Sequence, residues 1–422
     1  MKVLIWDNFE LQNTGGPSGY LYNIHEHLKD HPNNSIVFLS DLKNSIANTS
    51  TTKSNSSLTE NNNPIVSSKK PFFIKRIWHL ILKLTSVVPS FKSFITKSID
   101  YAYRMYHIKW DKNGIESFVS LDDYDFIHFH FLIHARLFRN TFPYYKGKTI
   151  VTSHSPSPWT EEMIMYDQSI RWLKPIMILQ ECKIYKSADY VMFPCKYAKE
   201  PYEHNKLIKK TLDKLESRTF YVPSSIFPYS PTKTKFTLRE QCGFPESAFI
   251  VAFFGRHNHV KGYDILKNIA VKTLENSINE YFVCAGNGNI DPLDHPKWKE
   301  LGFVSNIKDI MPQCDLYVLP NRDTYFDLVV IECLRAGLPI AITNTGGNKF
   351  FKSLPESETK GIMFFEKDNP NEAVDIIIQL TKTKSDDINK YNRLRELNKE
   401  LYQKYFTPEK YIKEYISSLQ TL

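Results

Sequence analysis

Residues 315–347 read DLYVLPNRDTYFDLVVIECLRAGLPIAITNTGG. An apolar run ends at Pro320, a polar loop turns through Tyr325 and Phe326, and a helical pattern bearing Glu332 begins near Asp327. The next apolar run, PIAITN (Pro339–Asn344), completes a strand, loop, helix, strand unit, the building block of a parallel α/β sheet. Backbone N–H groups at the start of such a helix have no partner within it, and the helix dipole adds positive potential there, so the position suits a diphosphate. Glu332 falls in the first turns, where its carboxylate can accept both hydroxyls of a ribose, although an acidic residue on a helix surface is most often only solvated.

The same pattern continues on both sides. Before this unit stand FIVAFFG (Phe249–Gly255) and YFVCAG (Tyr281–Gly286), and after it GIMFFE (Gly361–Glu366), so the second half of the chain forms its own Rossmann-like sheet. GRHNHVKG (Gly255–Gly262) directly follows the first of these strands. Arg256 and Lys261 flank its strand-to-helix turn, where two fixed cations can neutralise a pyrophosphate as it becomes a leaving group. In the first half, KVLIWD, SIVFLSD, DFIHFHF (Asp125–Phe131), KTIVTSH (Lys148–His154), DYVMFP (Asp189–Pro194) and FYVP (Phe220–Pro223) read as strands of another doubly wound sheet. Gly15 and Gly16 follow the first of them in NTGGPSGY, a pair that permits close backbone approach to a ligand and equally marks a tight turn.

The expected organisation is an N-terminal domain over 1–223 and a C-terminal domain over 248–405, with 406–422 as a last helix packing back toward the first domain. The polar, Pro-containing stretch Ser224–Pro245 links them. Inside the first domain, 44–68 reads as a mobile loop, because fifteen of the twenty residues 44–63 are Asn, Ser or Thr. Residues 69–112 form a basic amphipathic segment with ten Lys or Arg against Asp100 and Asp111. That excess equals the +8 of the whole 422-residue chain, so the remainder is near neutral and a general affinity for nucleic acid is not indicated. In KKPFFIKRIWHLILKLTSVV, Phe73, Ile77, Ile81, Leu84 and Val88 recur at helical spacing among Lys75, Arg76 and Lys83, the pattern of a helix lying on an anionic membrane surface. The competing reading packs that helix on its own sheet.

Six cysteines with no CxxC pair and no histidine cluster at metal-ligand spacing read as reduced core residues of a cytosolic protein. An acidic residue at Asp7 comes too early for a signal peptide, and no apolar run approaches the ~20 residues that cross a bilayer.

These motifs together resemble the retaining glycosyltransferases of family four, with the GT-B fold: two Rossmann-like domains facing a central cleft. The likeness is strong from Phe249 to Gly347 and weak before it. It implies that Arg256 and Lys261 bind the donor diphosphate and that Glu332, the family's second glutamate, holds the nucleotide ribose. It also implies that Tyr325, Phe326, Asp327, Leu328 and Val329 form the FG-type loop and helix start at the donor. LGFVSNIKDIMPQCD (Leu301–Asp315) resembles the segment whose backbone reads the base, which brings in Gly302 and Val304. Gly15 and Gly16 correspond to the loop that approaches the donor phosphates, and His154, after a TVH-like strand, to the residue that touches donor-sugar hydroxyls. His128, His130 and His134 read as structural. One position departs from the pattern: the family's first glutamate is Thr324 here, and its second loop glycine is Asp327, which can restore the missing carboxylate.

The resemblance implies transfer of a sugar from a UDP- or GDP-sugar, with no cofactor and no metal, to a glycan or lipid-linked acceptor at the inner face of a plasma membrane. The setting it suggests is bacterial cell-surface polysaccharide or lipid-linked oligosaccharide assembly. Two other readings stay open: a non-catalytic sugar-nucleotide-binding subunit, motivated by Thr324, and a GT-B epimerase or phosphorylase.

Overall fold

The computed structural model describes residues 1–7, 9–12, 16–50, 96–97, 110–229 and 237–422, apart from the side chains of 46–50. Two six-stranded, all-parallel sheets form the frame. The first comprises β1 (Val3–Trp6), β2 (Ile36–Phe38), β3 (Phe126–Phe129), β4 (Lys148–Thr152), β5 (Tyr190–Phe193) and β6 (Thr219–Tyr221), in the order β2-β1-β3-β4-β5-β6. The second comprises β7 (Phe249–Phe254), β8 (Glu280–Ala285), β9 (Trp298–Glu300), β10 (Leu316–Leu319), β11 (Ile340–Thr343) and β12 (Ile362–Phe365), in the order β12-β11-β10-β7-β8-β9. Crossover helices cover both faces of a parallel sheet, which is why its central strands read as unbroken apolar runs: all six residues of β7 are buried.

Strand order reverses once in each sheet, between β1 and β3 in the first and between β7 and β10 in the second. Loops leaving the carboxyl ends of such a strand pair diverge to opposite faces and open a crevice, the usual ligand position in open α/β sheets. The loops after β7 and β10 are the Arg256–Lys261 turn and the Asn321–Asp327 stretch.

The closing helix, Pro408–Gln420, belongs to the first sheet although the chain reaches it from the second. Its Tyr411, Ile412, Tyr415 and Leu419 pack with Val3, Ile5 and Phe220 in one buried cluster. Tyr411 and Tyr20 join their hydroxyls, and the Tyr415 hydroxyl lies 2.8 Å from His128 Nδ1. The outgoing and returning chain segments touch as they pass between the domains, Ile226 N–H donating to Phe406 O at 3.1 Å and the Tyr402 hydroxyl to Ile226 O at 3.0 Å.

Three sequence readings change. Residues 44–50 are not loop but the end of the helix Leu39–Ser50, anchored where Leu39 is buried, Leu42 packs on the core and Asp41 meets His25 at 2.8 Å. Composition signalled the polar tail and missed this apolar start. The linker contains a short helix, Leu238–Cys242, fixed by a capping box between Thr237 and Glu240. β9 was not foreseen, because Trp-Lys-Glu carries no apolar run. The rest of the low-complexity stretch, and the segment 69–112 except residues 96–97 and 110–112, lie outside the described residues. Among the described residues, no helix is long and apolar enough to cross a membrane.

Close packing at the second switch point depends on Gly262, which has a φ of +67° and whose missing Cβ would stand 1.7 Å from the Pro320 carbonyl oxygen. Gly262→Ala is therefore expected to lose about 2 kcal/mol or more of stability, read as a lower urea midpoint. An unchanged midpoint would show that the two loops do not need this approach.

Candidate active site

At the second switch point, the loop after β10 is organised around one carboxylate. Asp327 accepts from the Thr324 hydroxyl at 2.8 Å and from the Asn321 side-chain amide, and it pairs with the Lys261 ammonium from the loop after β7. Burial pushes its carboxyl up, but Lys261 and these hydrogen bonds outweigh that and hold it below the usual range, so Asp327 stays ionised. Lys261 is in turn placed by its own N–H, which donates to Asn258 Oδ1 at 2.9 Å.

Asp327 precedes the helix Leu328–Ala336 and gives it no side-chain cap bond, while the Val330 N–H turns back to the Asp327 carbonyl at 3.1 Å. Among the described residues, no hydrogen bond takes up the N–H groups of Leu328 and Val329, which stand at the positive end of the helix. One turn further on, burial raises the Glu332 carboxyl against the pull of Arg335 and Lys308. No hydrogen bond to that carboxylate occurs among the described residues. Arg256 is exposed on the loop after β7, free of ion pairs among the described residues. A β-bridge from His257 to Gly288 fixes the turn it stands on. Gly302, with a φ of +66°, and Val304 follow β9, and the Gly302 carbonyl accepts from the Gly286 N–H at 2.8 Å.

The first sheet contributes histidines. His154 follows β4, and its Nε2 lies 2.8 Å from His130 Nδ1, while His128 is held between Tyr415 and Thr152. Burial drives all three imidazoles toward neutrality, His154 down to about 3, so each carries one N–H and no charge near pH 7. The Tyr325 ring crosses from the second domain to stand 6.2 Å from His154 and 6.0 Å from Phe193. Gly16, with a φ of +79°, opens the helix Gly16–Asp30, which brings Tyr20 to 4.8 Å from His154; Gly15 lies outside the described residues.

The structure therefore gathers Lys261, Thr324, Asp327 and the Leu328 helix start closely. It sets His154 across from Tyr325. Several participants were missed in the sequence. Asn321 is fully buried on Asp327, a polar residue two positions after the end of β10, which is a usable signal. Tyr411 and Tyr415 come from a distant helix, and Glu200 crosses between domains to accept from the Gly346 N–H at 2.7 Å and from Lys349 at 2.5 Å; no local pattern marks these. Glu181 supports the His154 loop from behind by accepting from the N–H groups of Trp159 and Thr160 at 2.9 Å each. Among the described residues, no three His, Cys, Asp or Glu side chains form a metal-ion group.

A six-plus-six parallel arrangement with both switch points at one cleft is the GT-B fold. Residues 248–383 match the family model of glycosyl transferases group 1. An uncharacterised glycosyltransferase of Methanocaldococcus jannaschii is 28% identical over 148 residues, covering 32% of this chain and 37% of that protein. The O-antigen biosynthesis glycosyltransferase WclY of Escherichia coli is 23% identical over 159 residues, covering 36% and 42%. The matches thus span well under half the length of either relative. Across the entire chain, the fold is similar to Anabaena HepE solved with UDP (TM-score 0.57, 14% identity, 100% of both chains). It is also similar to sucrose-phosphate synthase of Thermosynechococcus elongatus (TM-score 0.59, 16% identity, 100% of this chain and 99% of that one).

Because one carboxylate serves this loop from position 327 rather than 324, moving it should be tolerated better than removing it. Asp327→Gly leaves the largely buried Lys261 unpaired and should cost roughly 2 kcal/mol in urea unfolding, whereas Thr324→Glu with Asp327→Gly should recover most of that loss. Equal losses in the single and double variants would reject a shared carboxylate role.

Proposed function

We propose that this chain is a glycosyltransferase that moves a sugar from a nucleotide-diphosphate donor to an acceptor hydroxyl with retention of configuration. The observation that carries the reading is the convergence at the β7/β10 switch point. There, among the described residues, no hydrogen bond engages the Glu332 carboxylate and none takes up the N–H groups of Leu328 and Val329, and Lys261 with Arg256 belongs to the adjoining loop. A ribose on Glu332 sets a diphosphate toward those N–H groups and cations, and the attached sugar toward His154 and Tyr325.

In the reaction, the bond between the anomeric carbon and the diphosphate oxygen breaks and its electrons leave with the diphosphate. The acceptor oxygen bonds to the same face of that carbon and gives its proton to the departing phosphate oxygen. Developing negative charge is met by Arg256, Lys261 and the helix amides, so the chain's own groups supply the stabilisation. Lys261 enters this role by sharing itself between Asp327 and the diphosphate. Neutral His154 offers a hydrogen bond to a sugar hydroxyl without adding charge. UDP or GDP as the carrier, a glycan or lipid-linked acceptor, and cell-surface polysaccharide or lipid-linked oligosaccharide assembly on the cytoplasmic side complete the proposal. A second reading, a sugar-nucleotide-binding subunit without turnover, draws on Thr324 in the family's glutamate position; transfer or donor hydrolysis by the purified chain excludes it.

Thermal shifts with nucleoside diphosphates and their sugars identify the donor, since a ligand at a hundred times its Kd adds about 2.7 kcal/mol of apparent stability. Glu332→Ala is expected to weaken nucleotide binding, while Arg256→Ala and Lys261→Ala mainly lower turnover, by roughly 10² or more each. Ribose contacts are alike in ground and transition states, whereas charge on the diphosphate grows as the bond breaks. Unaltered kinetics in all three variants would remove this site assignment. Activity should also persist in excess EDTA; a full loss restored by manganese would overturn the metal-free mechanism.

A further inference from the structure

Helix Lys174–Ser187 in the N-terminal domain buries Met177, Ile184 and Tyr185 and leaves Ile176, Leu179, Lys183 and Lys186 exposed. Steps of three, four and three residues put these four on one stripe, apolar at its first two positions and basic at its last two. Ile176 is 48% exposed and Leu179 58%, and Leu207, on the neighbouring helix Lys206–Lys214, is 40% exposed. Leu179 and Leu207 line a surface groove of about 750 Å³ together with Arg171 and Lys174. Clustered apolar side chains at a soluble surface mark a place of contact.

Charge selects what makes that contact. Residues 168–187 and 206–214 hold eight Lys or Arg, against Asp213 and the buried Glu181. Lys174 is paired with Glu161 at 2.6 Å and Lys209 with Asp213 at 3.2 Å. Arg171, Lys183, Lys186, Lys206 and Lys210 flank the apolar side chains without an ion pair among the described residues. A second copy of this chain would set these cations against their own kind. An anionic bilayer instead offers phosphates at the level of the cations and an apolar layer just beneath.

We propose that this face docks on an anionic lipid bilayer, with Ile176, Leu179 and Leu207 entering the interface and the surrounding Lys and Arg on headgroup phosphates. The surface is distinct from the basic stretch at 69–112 and independent of the transferase reading. It adjoins the cleft: Asn205 also lines the groove, one residue after His204, which meets Asp323 of the second domain at 3.3 Å. A bilayer on this face lies next to the rim of the cleft between the domains.

Co-sedimentation of the full chain with phosphatidylglycerol-containing vesicles, beside vesicles of phosphatidylcholine alone, tests the proposal. The chain is expected to sediment only with the anionic vesicles and to be released when salt is raised to about 1 M. Ile176→Ser with Leu179→Ser, and separately Lys206→Glu with Lys210→Glu, should each lower the bound-to-free ratio roughly tenfold or more, with unchanged circular dichroism. A nucleotide-induced thermal shift measured on the same proteins reports the donor site separately. Wild-type protein left in the supernatant overturns the proposal. So do two variants that bind like wild type, which moves the contact elsewhere on the chain. A dimer lost in the Ile176/Leu179 variant, with no vesicle binding by wild type, assigns the face to a second copy instead.

Discussion

The ion pair between Lys261 and Asp327 joins the two loops on which the second crevice depends. One loop leaves β7 and the other leaves β10, and the reversal of strand order sends their helices to opposite faces of the sheet. Nothing in the sheet itself holds the loop tips together. The Lys261 ammonium does so together with Arg322, whose N–H donates to Val260 O at 3.0 Å and whose guanidinium donates to His259 O and pairs with Asp264; Thr324 and Asn321 complete the shell around the Asp327 carboxylate and Gly262 allows the backbones to touch. Held in this way, the helix Leu328–Ala336 points its first N–H groups into the crevice and carries Glu332 one turn behind them.

This arrangement sets a cost on binding as well as a geometry. In the proposed binding mode, a cation already paired with Asp327 would not meet a diphosphate at full strength, so part of the attraction would be spent before the ligand arrived. The same pairing keeps a partly buried ammonium from standing alone when the crevice is empty. Across the cleft, chemistry is kept neutral: His154, His130 and His128 lie in surroundings that suppress their charge, and the Tyr325 ring fills the space between them and the loop. Charge is thus concentrated on the second domain and hydrogen-bonding capacity without charge on the first.

Much of this was legible because a parallel sheet writes itself as apolar runs. Eleven of the twelve strands coincide with such runs, and the missing one, β9, is Trp-Lys-Glu at a sheet edge, where little burial is demanded. The positions of Lys261, Asp327 and Glu332 on the segments after β7 and β10 were readable because they sit at fixed offsets from strand ends. Glu200, Tyr411 and Tyr415 were not, since each acts on a partner more than a hundred residues away and its neighbours in sequence say nothing of that distance. The helix over residues 44–50 was hidden for another reason: its polar tail follows an anchor, Leu39 and Leu42, whose burial only the folded chain shows.

The return of the Pro408–Gln420 helix to the first sheet governs the order in which the molecule can be made. A ribosome releases β1 to β6 long before residues 408–420 exist, so the nascent first domain waits with Tyr20, His128 and Phe220 lacking the side chains that cover them. Its core is covered by residues that follow the second domain in sequence, so it cannot close before that domain's chain has been made. The two halves are consecutive in sequence, yet the core of the first depends on chain that lies beyond the second.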